Sequence, residues 1–123
     1  MLVTGFPYDV QSRVEEIVGL FGAFVGRARA VRRLGSAALD LCYVACGRME
    51  GFWESDLKAW DIAGGALIVA EAGGRVTSMA GEPFRSRAGD VLATNGLLHD
   101  AMLRVIREFR GGTVQRKGIA GQG

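Results

Sequence analysis

The chain has 123 residues, 49% of them apolar, and fifteen Lys and Arg against thirteen Asp and Glu leave a formal net charge of +2. That length and composition describe one globular domain with a single core and exclude a disordered or fibrous chain. No apolar run approaches the roughly 18 residues of a membrane span, the opening lacks a secretory pattern, and two cysteines make no disulfide framework, so a soluble cytoplasmic protein with no membrane partner is expected.

Leu2–Thr4 reads as a short strand running into a turn at Gly5, Pro7 and Asp9. From Ser12 the pattern is helical, with Val14, Ile17, Val18 and Phe21 on one face and Glu15 and Glu16 on the other, and Gly22 is expected to loosen the end. Arg27, Arg29, Arg32 and Arg33 follow without interleaved aromatics or zinc-finger spacing, so no nucleic-acid partner is expected.

A second short strand near Ala30–Arg32 leads to a turn at Gly35 and a helix from Ser36 to Cys46. Ser36 is a natural N-cap, and Leu39, Cys42, Tyr43 and Cys46 recur at helical spacing. With a single histidine far away at His99, the two cysteines read as small buried thiols rather than metal ligands. Asp40 reads as a salt-bridged residue on the helix surface. The segment "MEGFWE" reads as a strand that brings Phe52, Trp53 and Glu54 to an edge or rim, Glu54 there being solvated, and "SDLKAW" as a loop in which Asp56 and Lys58 are surface charges.

The stretch "WDIAGGALIVAEAGG" then places Ile62, Ala66, Val69 and Ala70 at helical spacing, with Gly73 and Gly74 closing the helix. Its interior glycines, Gly64 and Gly65, each weaken a helix by roughly 1 kcal/mol relative to alanine. Either another backbone packs closely there or a ligand sits against the first turn. "RVTSM" and "DVLATN" are strands separated by a turn around Gly81 and Pro83, and "HDAMLRVIREF" is a helix with Met102, Val105, Ile106 and Phe109 inward. The alternation implies an α/β fold of layered helices and a mixed, mainly parallel sheet over residues 1–110, with residues 111–123 as a flexible tail.

Asp61 heads the last glycine-containing helix. An aspartate at an N-cap accepts hydrogen bonds from orphan backbone donors and is favoured by the helix dipole, which accounts for it structurally. The same position holds an ionised carboxylate at a helix mouth, where a divalent cation and a phosphate can meet. Gly73 and Gly74 are no phosphate loop, since its lysine and hydroxyl are missing. No Ser, His and Asp arrangement is defensible from spacing, and His99 is unsupported as a base.

"WDIAGGALIVAEAGG" resembles the second signature of the inositol monophosphatase family, and "TGFPYD", "RRLGSAALDLCYVACGRMEGFWE" and "VLATN" resemble the carboxy-terminal half of those enzymes in the same order. The resemblance covers Leu2 to about Phe109. It implies a magnesium-dependent phosphomonoesterase of layered helices and sheets, commonly dimeric. In that family the position of Asp61 is a metal ligand near a substrate hydroxyl, that of Glu54 hydrogen-bonds an inositol ring, and Gly35, Ser36 and Ala37 match the segment lining the substrate site. Oxygen ligands suit magnesium, and a metal-activated water suits attack on a phosphate ester.

The family's upstream metal-binding glutamate and its signature of two aspartates, glycine and threonine are absent from these 123 residues. The resemblance therefore implies the carboxy-terminal part of a phosphatase for inositol monophosphate or a related polyol or sugar phosphate, inactive alone, with weak magnesium binding. Bisphosphate nucleotide, fructose bisphosphate and histidinol phosphate are alternative substrates. The expected partners are a small-molecule phosphate and either further copies of the chain or a missing amino-terminal half. A noncatalytic interaction or assembly module retaining the half-fold is the competing reading.

Overall fold

Strands and helices alternate as the hydrophobic pattern requires: β1 (Leu2–Thr4), α1 (Val14–Val25), β2 (Val31–Arg32), α2 (Ala37–Ala45), β3 (Gly51–Glu54), α3 (Ala59–Glu71), β4 (Arg75–Thr77), β5 (Val91–Thr94) and α4 (His99–Ala120). The computed structural model describes residues 1–5, 14–33, 35–55, 59–85 and 89–120, without side-chain detail at 38, 59–61 and 112–120. The turn read at Pro7 and Asp9, the helix start at Ser12 and the loop charges Asp56 and Lys58 lie outside the described residues.

The five strands form one sheet in the order β2-β1-β3-β5-β4. β1 is parallel to β2 on one side and to β3 on the other. β5 runs antiparallel to both β3 and β4. The sheet is thus mixed, as expected, but evenly divided rather than mainly parallel. The β4–β5 connection returns through a turn, and β5 then enters between β3 and β4 in the opposite sense.

The chain steps one way from β1 to β2 and the other way from β2 past β1 to β3. Crossovers between parallel strands are right-handed in nearly all proteins, so opposite steps put their helices on opposite faces. The core divides accordingly. Leu2, Trp53 and Leu92 point to one face and pack with Leu20 and Phe24 of α1 and Met102, Ile106 and Phe109 of α4. Val3, Phe52, Val91 and Ala93 point to the other and pack with Leu41 and Val44 of α2 and Ile62 and Val69 of α3. The period-two alternation of β1, β3 and β5 supplies both layers, which is why these strands are buried throughout.

Several local expectations meet the structure. Ser36 caps α2, its Oγ accepting from the Leu39 N–H at 3.3 Å. α1 runs through Gly22 without interruption to Val25, because nothing crowds that position and Phe24 anchors the final turn in the core. Cys42 is half-buried, but Cys46 is exposed, since it lies at the C-cap of α2 and not within its buried face. α3 ends at a left-handed Gly73 (φ 89°), with the Gly74 N–H reaching back to the Val69 carbonyl at 2.9 Å, the hydrogen bond of a Schellman closure. α4 continues past Phe109 to Ala120.

The glycine pair inside α3 separates into two cases. A Cβ on Gly65 would lie 2.6 Å from Leu41 Cδ1 and 2.7 Å from its Cβ, so Gly65 is where α2 and α3 come into close contact. A Cβ on Gly64 would meet nothing within 4 Å. Gly64→Ala should therefore stabilise the chain by about 0.5–1 kcal/mol through helix propensity. Gly65→Ala should destabilise it, because overpacking of about 1–3 kcal/mol outweighs the same gain. Urea denaturation of the two variants gives the comparison, and equal effects of one sign would remove the distinction.

Candidate functional site

The carboxyl ends of the three parallel strands lie along one edge of the sheet. β1 leads to Gly5 there, β2 leads through Arg33 to Gly35 and the N-cap Ser36, and β3 ends at Glu54 and leads to α3. α2 and α3 therefore both begin at this edge and run back across the same face, touching through Leu41 and Gly65. β1 and β3 are neighbours whose following helices lie on opposite faces. That arrangement opens a crevice beyond the strand ends, the place where open α/β sheets bind ligands.

Glu54 ends β3 at this edge of the sheet. The expected edge position is wrong: β3 is a central strand with β1 and β5 as neighbours, and Glu54 is only 7% exposed. Its carboxylate lies against Gly5, so close that a Cβ there would meet the Oε1 atom. Gly5 thus makes room for the Glu54 carboxylate. The neighbouring Thr4 hydroxyl donates to the Trp53 carbonyl at 2.6 Å, a buried hydrogen bond that ties the ends of β1 and β3 together.

Asp61 lies inside the first turn of α3, which starts at Ala59, and not at the N-cap as expected. The helix begins earlier because Ala59 and Trp60 join it rather than the preceding loop. N–H groups of a first turn lack intrahelical acceptors and lie at the positive end of the helix dipole, so the electrostatic reason for a carboxylate there survives the correction. Gly35, with φ 89°, turns the chain into the Ser36 cap and so sets where Gly35–Ala37 lie at the same edge. The structure brings Glu54, the Gly35–Ala37 segment and the backbone of Asp61 to one edge of the sheet.

Asp40 departs most from its expected role as a salt-bridged surface residue. It is 1% exposed, and neither carboxylate oxygen has a hydrogen-bond partner among the described residues. Burial pushes its pKa from the usual 3.8 up to about 6. An unpaired buried carboxylate costs several kcal/mol in its charged form. Its position, one turn after Ser36 on the α2 flank of the core, was hidden because the helical pattern around it also contains the exposed Leu39.

His99 shows the opposite treatment of a buried polar group. Its Nδ1 is 3.0 Å from Thr94 Oγ1 and its Nε2 is 2.8 Å from Thr77 Oγ1. The Thr77 hydroxyl donates to the Ser78 carbonyl at 2.7 Å and so accepts from Nε2–H; in the neutral ring Nδ1 then accepts from the Thr94 hydroxyl, whose oxygen also accepts the Gly96 N–H at 2.9 Å. Donor counting thus puts the proton on Nε2. The ring is neutral and fully satisfied, and burial, with the nearby Arg75 cation, lowers its pKa from 6.5 to about 4. It joins β4, β5 and α4 and takes no part in the strand-end crevice.

Among the described residues, no three His, Cys, Asp or Glu side chains gather to hold a metal ion. The recess between the ends of β1 and β3, lined by Thr4, Gly5, Glu16 and Ser55, has a volume of about 20 Å³. That is room for a water, against the several hundred Å³ of an ordinary small-molecule site. The sequence marks Thr4 only as a strand end and Gly5 only as a turn residue; a glycine directly after a buried strand is the available signal for close approach.

These features define an α/β protein of layered helices and a mixed sheet, with a small recess at its strand ends. Residues 1–110 match the inositol monophosphatase family, and the chain belongs to that family. It is 46% identical over 106 residues to the putative Nus factor SuhB of Neisseria meningitidis, covering 86% of this chain and 41% of that protein. It is 42% identical over 106 residues to an inositol-1-monophosphatase of Synechocystis, covering 86% of this chain and 37% of that protein. The structure of inositol monophosphatase from Anabaena superposes with a TM-score of 0.84 at 42% identity, over 87% of this chain and 42% of that one. The chain spans about two fifths of the length of these relatives. Among the described residues, no helix is long and apolar enough to cross a membrane.

Asp40 and His99 act on stability in opposite senses. Between pH 4 and 6 folded Asp40 keeps a proton that the unfolded chain has released, so its contribution is full below pH 3.8 and is lost as pH rises through about 6. Folded His99 has released a proton that the unfolded chain keeps, so its contribution is full above pH 6.5 and is lost as pH falls through about 4. Each effect is about 3 kcal/mol, and they nearly cancel. The wild-type chain should show a flat urea midpoint across this window, and Asp40→Asn should expose a marked loss of stability toward acid. An unchanged acid slope in Asp40→Asn would show that Asp40 ionises normally.

Proposed function

We propose that this chain is the carboxy-terminal part of a phosphomonoesterase that hydrolyses inositol monophosphate or a related polyol or sugar phosphate. The observation that carries the reading is the strand-end crevice, where Glu54, the Gly35–Ala37 segment and the start of α3 with Asp61 share one edge of the sheet. Glu54 is the group for a polyol hydroxyl. Its carboxylate is held against Gly5 at the end of a central strand, which fixes it more firmly than a surface glutamate. The α2 N-terminus beside it supplies backbone N–H groups for polar substrate atoms.

Magnesium is the cofactor the resemblance implies, with Asp61 as a ligand. The described residues do not form a magnesium site by themselves, since they gather no set of three ligating side chains. On this reading the chain alone binds magnesium weakly, and the remaining ligands come from a second component, whether another copy of the chain or a polypeptide equivalent to the unmatched part of the relatives. One observation supports a further component: the exposed Leu39, Leu67 and Ile68 on α2 and α3.

A second reading, a noncatalytic assembly module, is favoured by the relatives named as Nus factors. It predicts partner binding that Asp61→Asn leaves intact.

The deciding experiment measures magnesium-dependent release of phosphate from inositol monophosphate by the 123-residue chain, alone and mixed with a polypeptide covering the unmatched part of an inositol monophosphatase. Activity is expected only in the mixture, and Asp61→Asn should abolish it. Turnover by the chain alone, lost in Asp61→Asn, would overturn the incomplete-site reading. A complex that forms without activity at any magnesium concentration would favour the assembly module.

A further inference from the structure

A cavity of about 380 Å³ lies on the sheet face opposite α2 and α3, between the end of α1 and the first turns of α4. It exists because the two helices meet at one end and part at the other. Gly19 of α1 takes the Phe109 ring of α4 so closely that a Cβ there would lie 2.6 Å from its Cζ. Toward the other end Met102 leans over the sheet at Gly51, where a Cβ would lie 2.5 Å from its Sδ. The space beside Met102 is left open. Its floor is the buried Leu2, Phe24 and Met102, and Leu98, Ala101 and Val105 form one wall.

The mouth is charged, and its charges are unequally committed. The Met1 ammonium pairs with Glu50 at 2.8 Å. Arg27 is held by the Ala23 carbonyl at 3.2 Å and by Glu108 at 3.6 Å. Arg29 also lines the mouth, and its guanidinium has no partner among the described residues. The volume falls within the range of small-molecule sites, which pair apolar walls with a few polar groups that fix orientation.

We propose that this cavity binds a monoanionic amphiphile, its hydrocarbon body against Phe24 and Met102 and its carboxylate on Arg29. Charge complementarity selects the head group: a guanidinium with no partner among the described residues, its planar fork suited to a carboxylate, lies at the mouth beside the apolar walls. The site is independent of the strand-end crevice, which faces a different edge and holds none of these residues.

The probe is decanoate, compared with decanol, titrated below its micellar concentration into the 123-residue chain carrying labelled methionine methyls. Of its four methionines, Met1 and Met102 line the cavity, whereas Met79 lies deeper in the core and Met49 on the other face. Saturable shifts of Met1 and Met102 are expected, with Met49 and Met79 unmoved. Decanoate should bind more tightly than decanol, and Arg29→Gln, an exposed change that leaves the fold intact, should weaken decanoate by roughly tenfold and leave decanol unchanged. Ala101→Phe should fill the wall and weaken both. No saturable shift of Met102, equal binding of decanoate and decanol by the wild-type chain, or shifts spread over all four methionines would each overturn the proposal.

Discussion

β1 has a parallel partner on each side, and this pairing governs where every candidate group lies. A strand with two parallel neighbours requires crossovers that return each chain segment to the same starting edge, so successive strands end together and successive helices start together. Here the result is that β1, β2 and β3 deliver Gly5, the Ser36 cap and Glu54 to one edge. The site's residues are far apart in sequence and depend on this geometry for their proximity. Thr4 reinforces it with its hydroxyl on the Trp53 carbonyl, a hydrogen bond across the two strands whose separation defines the crevice.

The second constraint is the contact of α2 with α3. Both helices bear on the same sheet face, and Gly65 lets Leu41 enter where any side chain would hold the axes apart. A wider spacing would move the N-terminus of α3, and Asp61 with it, relative to the Ser36 turn. Gly74 has a related duty at the far end of α3, where a Cβ would lie 2.5 Å from the Thr94 carbonyl of β5. The helix is thus set against α2 near its middle and against the sheet at its exit. The small residues that weaken α3 as an isolated helix are partly what let it be positioned.

Much of this was legible in the sequence because it depends on local rules. The Ser36 cap, the glycine closure of α3 and the alternation of β3 and β5 follow from hydrogen-bond and burial patterns within a few residues. The family resemblance named the crevice residues without needing their geometry. What was not legible depends on pairing between distant segments. Glu54 looks like an edge carboxylate until β1 and β5 are known to flank it, and Asp40 looks like a surface charge because one helical turn carries both the exposed Leu39 and the buried Leu41. Even the start of α3 was misplaced by two residues, since apolar spacing does not reveal whether Ala59 and Trp60 belong to the loop or to the helix.

The buried polar groups divide the molecule in a way that apolar burial does not. At the β4–β5–α4 corner, Gly96, Thr94, His99, Thr77 and Ser78 form a continuous donor-to-acceptor chain with no unmet partner, and the neutral ring needs nothing from outside. On the α2 side, Asp40 is buried to nearly the same degree, and both its oxygens lack a hydrogen-bond partner among the described residues. A group of that kind either holds its proton, at a pKa near 6, or carries an uncompensated charge. Oxygens so enclosed are out of reach of anything that docks on the surface of α2, so their hydrogen bonding changes only if the helix itself moves. The corner around His99 is therefore settled from within, whereas the α2 flank keeps a carboxyl whose protonation is coupled to the packing of the helix.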